Sequence, residues 1–135
     1  MKEKLIGICL GILAANLALA DDDLTGVDTL LCAPGYVRDC TIDGECEFGP
    51  AENSNMPDFI LVDLDNETLL TTATNDESRT TVIEHLTRLD GLIFLQGVQG
   101  GNAFSIVISE ATGDMSIAIA TDGETATTFG ACTPA

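Results

Sequence analysis

The stretch CAPGYVRDCTIDGEC, residues 32 to 46, holds three cysteines, and a fourth, Cys132, lies three residues from the C-terminal end. Sulfurs so placed could bind a metal, run a redox couple or staple a fold. Structural zinc takes cysteines in close pairs, typically two to four residues apart. Here the gaps are seven, five and eighty-five residues, and the one histidine, His85, is distant in sequence. A thioredoxin-like site needs C-x-x-C and c-type haem attachment needs C-x-x-C-H; neither occurs. Disulfides remain: Cys9 lies in the apolar run near the start, and the four cysteines of residues 21–135 make the even count that suggests bridges in a short exported protein. Four cysteines allow three connectivities. The favoured one joins Cys40 to Cys46 in a small local loop and Cys32 to Cys132 across the domain. The long closure contributes roughly 3–5 kcal/mol in the chain-entropy model.

Other residue groups carry weaker signals. Asp63-Leu64-Asp65-Asn66-Glu67 opens like a calcium loop, but an EF-hand needs glycine at its sixth position and glutamate at its twelfth. Those positions are Thr68 and Thr74, so the stretch reads as a hairpin turn with exposed acids. His85 is a general base by type. It stands alone, without a G-x-S-x-G nucleophile, and reads as a solvent-facing residue beside Glu84. Gln96-Gly97 and Gly100-Gly101-Asn102 lack the phosphate-loop pattern, and QGGN reads as a wide turn. Asn66-Glu67-Thr68 matches a glycosylation sequon, which in a tight turn reads as chance. No catalytic, cofactor-binding or metal-ligating residues are therefore assigned, and no cofactor is expected.

The first twenty residues address the chain. Lys2 and Lys4 precede an apolar run from Leu5 to Ala20, which ends in Ala18-Leu19-Ala20. Positive start, apolar middle and small-x-small ending make a signal peptide. The run is short for a membrane span, which needs about 20 residues. Expected are cleavage after Ala20, a periplasmic or secreted protein, and no membrane attachment afterwards. Residues 21–135 form one folding unit by length. Its expected parts are an irregular Cys-rich segment, 21–57, and a β-meander domain, 58–135.

Charge narrows the partners. The precursor has 5 basic and 22 acidic residues; losing Lys2, Lys4 and Glu3 leaves 3 and 21, a formal charge of −18. The remaining cations are Arg38, Arg79 and Arg88. Nucleic-acid binding requires a basic footprint, and anionic lipid surfaces attract basic segments, so neither is expected. Such a chain attracts a basic protein or peptide, or a divalent cation; the plainer reading of the same charge is solubility in a saline environment, where salt screens the repulsion between carboxylates.

The elements that must position these groups are strands. From Phe59 onward short apolar runs alternate with turn pairs. Asp90-Gly91 separates Arg79–Leu89 from Leu92–Val98, and Asp-Gly between apolar runs is a strong hairpin signal. Phe104, Ile106 and Ile108 share one face against Ser105, Val107 and Ser109. Met115, Ile117 and Ile119 alternate with Ser116 and small alanines. Period-two alternation with evenly spaced turns predicts an all-β antiparallel meander of about seven strands, a small barrel or strongly curved sheet. Residues 79–89 carry two patterns. Val82, Ile83, Leu86 and Leu89 have helical spacing, while β-branched Thr80 to Ile83 and the Asp-Gly turn favour a strand. Upstream, turn residues crowd 21–57, which predicts little regular structure beyond one short strand or helical turn near Val27–Leu31.

The stretch LDGLIFLQGVQGGNAFSIVISEATGDMSIAIATDGETATTFGACTP resembles a family of small exported, periplasmic proteins of Gram-negative bacteria to which no activity is attached. They share the LQG strand, a TG hairpin and the closing FGACTP; with the N-terminal cysteine cluster and MPDFILVDL the likeness covers most of residues 21–135. The resemblance implies a periplasmic location and a common fold, not an activity. The expected architecture and acidity are also similar to those of periplasmic lysozyme inhibitors, small disulfide-bonded barrels whose target is basic. That likeness carries no residue over. The expected function is a non-catalytic binding or interaction module. A small-barrel carrier of an apolar molecule and a lysozyme-inhibitor-like protein are the alternatives.

Overall fold

The computed structural model describes residues 23–54, 56–72 and 78–135. The expected signal peptide, 1–20, lies outside them. The described residues are all-β and antiparallel, apart from one short 3-10 turn, Ala51–Asn53. Ten strands form: β1 (Thr29–Thr41), β2 (Cys46–Gly49), β3 (Phe59–Asp63), β4 (Thr68–Thr72), β5 (Ser78–Val82), β6 (His85–Leu89), β7 (Leu92–Gln99), β8 (Asn102–Ser109), β9 (Asp114–Thr121) and β10 (Glu124–Pro134). Their order in the sheet is β5-β4-β3-β1-β10-β9-β8-β7-β6, with β2 added beside β1.

The sheet curls until its two ends share one stretch of chain. β5 pairs with β4 and, two residues later, β6 pairs with β7. At the bend the Ile83 N–H donates to the Glu67 carbonyl (2.8 Å) and the Glu84 N–H donates to the Gln96 carbonyl (2.9 Å). Gly97 makes this approach feasible. A Cβ there would meet the Val82 carbonyl oxygen at 2.9 Å and the Phe104 ring at 2.7 Å. Residues 79–82 and 85–89 are thus strand, with Ile83 and Glu84 at the bend. Of the helically spaced residues Ile83 is buried and Leu86 half-buried, the bend shifting the parity between them, while Val82 and Leu89 are exposed.

The turn chemistry works locally. Asp90 (φ 53°) and Gly91 (φ 77°) both adopt positive φ, as a two-residue hairpin turn of the primed type requires. Gly100 and Gly101 also adopt positive φ between Gln99 and its partner Asn102. QGGN is therefore a tight two-residue turn and not the wide one expected, because two glycines satisfy both left-handed positions without strain.

The largest departure from expectation lies in 21–57. The segment is not mainly irregular, because β1 is a thirteen-residue strand. Pairing with β3 on one side and β10 on the other puts it in the middle of the sheet. Pro34 and Gly35, which suggest a turn, instead sit at a register shift between Pro34 and Val37. Pro34 still pairs with Gly130, and the bulge sets Gly35 and Tyr36 against the single residue Phe129 without ending the strand. The meander from β3 to β10 is accordingly completed by β1.

Inside the curl lies one apolar cluster that includes Leu30, Ile60, Val62, Leu69, Ile93, Leu95, Ile106, Ile108, Met115 and Ile117. Cys32 joins Cys132 within this cluster, across a directly opposed β1–β10 pair. Cys40 joins Cys46 across the β1–β2 hairpin, likewise directly opposed. Two such bridges point to an oxidising, non-cytoplasmic compartment. No helix among the described residues is long and apolar enough to cross a membrane.

Candidate functional site

One end of the curled sheet is covered. The segment before β1 folds across it, placing Leu24 at zero exposure among the core residues. The Leu24 N–H donates to the Glu110 carbonyl (2.6 Å), and the Leu64 N–H donates to the Asp28 carbonyl (2.8 Å). Arg88 fastens the cover. Its Nη2 donates to the Val27 carbonyl (2.8 Å) and lies 3.8 Å from Asp28 Oδ1, while its Nε lies 3.7 Å from Glu110 Oε1.

Among the described residues the opposite end has no such cover. The last residues of β1 and β9, the first of β8 and β10, Glu45 and Glu47 of the β1–β2 hairpin, and Glu52 to Ser54 with Met56 line a cleft of about 580 Å³ there. Its size falls within the range of ligand sites, and barrel mouths are a recurrent place for them. Ile119 and Ala126 pack against the core below, and Met56 belongs to that core. The acidic residues Asp39, Glu45, Glu47, Glu52 and Glu124 line it, and among the described residues no arginine does. Asp39 and Glu47 are directly opposed across the β1–β2 pair, an arrangement that destabilises a strand pair. Glu124, paired with Thr41, stands two residues further along on the β10 side. A local electrostatic penalty without internal compensation is what functional sites often carry.

Outside the same hairpin the chemistry reverses. The Tyr36 and Phe48 rings stack with centroids 5.4 Å apart, and the Arg38 guanidinium sits 5.6 Å from the Phe48 centroid. Phe129 is also strongly exposed on this outer surface. A smaller hollow of about 290 Å³ lies beside it, lined by Pro34, Tyr36, Pro50 and Asp58 among others.

The other residues singled out in the sequence lie apart. His85 is exposed on β6, paired with Gln96 in β7. Among the described residues no hydrogen bond joins it to a serine or a carboxylate. The Asp63–Glu67 stretch is the β3–β4 turn. There Asp63 accepts from the Asn66 N–H (2.9 Å) and from Asn66 Nδ2 (2.7 Å). These bonds, the side-chain one foremost, hold the Asp63 carboxyl below its ordinary value, because they favour the charged form. Bonds from Thr25 lower the Asp23 carboxyl in the same way. Among the described residues no group of three or more His, Cys, Asp or Glu side chains is placed to hold a metal ion.

The mouth carboxylates were not legible from motifs. Their only trace is the alternation in Glu45-Cys46-Glu47-Phe48, and that gains meaning once β2 is paired with β1. Compared with known proteins, the chain matches no family model and no curated sequence.

Proposed function

We propose that this is an exported, non-catalytic binding protein of the bacterial periplasm whose open end receives cationic groups of a basic protein or peptide. One observation carries the reading: five acidic residues, and among the described residues no arginine, line a cleft of about 580 Å³. Such a field attracts and orients cations at long range. The signal-peptide pattern, the disulfides and the likeness to small exported proteins support the compartment. The apolar-carrier alternative gains no support, since side chains occupy the interior of the curl.

Isothermal titration with decalysine tests the reading. Binding is expected at low salt and is expected to weaken steeply at high salt, because exposed charges are screened. The double variant Asp39→Asn, Glu47→Gln should weaken it as well. Absence of binding at low salt, or binding indifferent to both salt and the substitutions, would overturn the proposal. Titration with lysozyme, read as binding and as loss of its activity, tests the inhibitor-like version separately.

A further inference from the structure

The hairpin strand β2 has only one partner. It pairs with β1 over Val37–Cys40, and among the described residues no other strand joins it. The Thr41 N–H donates to the Glu45 carbonyl (2.8 Å), which fixes the phase of the ladder. Antiparallel pairs alternate between bonded and non-bonded positions. Glu47 and Gly49 therefore bond across to β1, while the backbone groups of Cys46 and Phe48 point away from it. Cys46, Glu47 and Phe48 are all exposed. The strand is short, four residues, and Pro50 follows it at once, so a partner strand can be added over Cys46–Gly49 and no further.

The two faces of this edge differ in chemistry. Glu47 stands on the side of the mouth, opposite Asp39. Phe48 stands on the outer side, stacked on Tyr36 and covered by the Arg38 guanidinium. A strand laid along β2 would alternate its side chains between those faces. Residues beside Glu47 meet carboxylates. Residues beside Phe48 meet aromatic rings and a cation that repels a second one.

We infer that β2 is a docking edge for an extended peptide segment in which cationic and apolar residues alternate, added to the sheet as a further strand. Main-chain bonds to Cys46 and Phe48 supply affinity, and the two-faced edge supplies register and pattern selection. This rests on the proposed cation-binding mouth and names the form in which its ligand arrives.

The test uses the oxidised protein and synthetic peptides. One peptide alternates lysine and valine; a second has the same composition in two blocks, lysines then valines. Two further versions of the alternating peptide carry N-methyl groups on one backbone edge or the other. The alternating peptide is expected to bind at least about tenfold more tightly than the block peptide, a difference of about 1.4 kcal/mol. N-methylation of one edge should abolish that advantage, and N-methylation of the other should leave it intact. Equal binding of alternating and block peptides, or indifference to both methylations, would overturn strand addition. If those peptides bind equally while decalysine still binds in a salt-sensitive way, the acidic mouth stands and only the docking edge falls. If none of them binds, both fall.

Discussion

Leu24 lies sealed beneath one end of the curled sheet, tied by backbone bonds and by Arg88, whose two carboxylate neighbours, Asp28 and Glu110, are thereby matched with a cation. At the other end Asp39 faces Glu47 across a strand pair, and among the described residues no arginine lines the cleft between the walls. The same ten strands support both ends. The difference is that one end spends its contacts on closure, whereas the other leaves an electrostatic penalty uncompensated. The disulfides follow this division. Cys32 and Cys132 are buried in the core and separated by 100 residues. Cys40, which lines the cleft, is joined to Cys46 across a separation of 6.

The largest expected contrast between the ends comes from removing each bridge. Chain-entropy arguments give about 4–5 kcal/mol for the long closure and about 2 kcal/mol for the short one. Urea unfolding of the Cys32→Ala, Cys132→Ala variant should therefore show a much greater loss than the Cys40→Ala, Cys46→Ala variant. Equal losses would mean that the hairpin at the mouth is as integral to the core as the central strands. Next in size, Leu24→Ala should destabilise by about 2–4 kcal/mol, because it removes a fully buried leucine. A loss below about 0.5 kcal/mol, the range of ordinary surface substitutions, would show that the cover is not part of the core. Arg88→Met keeps much of the side chain's length and removes its charge. As the guanidinium is partly exposed, its pairs with Asp28 and Glu110 are expected to contribute only about 1 kcal/mol or less, read in the same unfolding assay.

The smallest effect is a titration. Asp63 has a folded-state value below its ordinary 3.8. Its hydrogen bonds therefore support the fold fully above the ordinary aspartate value. That support fades as pH falls through the lowered one. Asn66→Ala removes the larger of the two contributions, the side-chain amide, and should return Asp63 toward the ordinary range. Carboxyl-detected NMR titration reads this directly; an unchanged Asp63 curve would assign the lowering to something else.

Much of the sheet could be read in advance because its rules are local. Asp90-Gly91, the alternation of Phe104, Ile106 and Ile108, and that of Met115 and Ile117 each specify a strand or turn within a few residues. β1 was hidden for the converse reason. Pro34 and Gly35 look the same in sequence whether they reverse a chain or lead into a bulge, and only pairing with β10 decides between them. The bend at Ile83 and Glu84 disguised two strands as a helical stripe, because one shift of parity converts period-two spacing into something close to a helix. The open end was harder still. Asp39, Glu52 and Glu124 are far apart in sequence, and acids in an acidic chain carry no motif. Only strand register and the curl bring them to one cleft.

In the proposed binding mode, cations are received at the open end and not at the closed one. Backbone NMR of the protein titrated with decalysine at low salt tests this, because carboxylates stand at both ends. Shift changes are expected to concentrate at Asp39, Glu45, Glu47 and Glu124 and to reverse with added salt, with Asp28 and Glu110 unaffected. Changes centred on Asp28 and Glu110, spread evenly over the acidic surface, or absent altogether would contradict it.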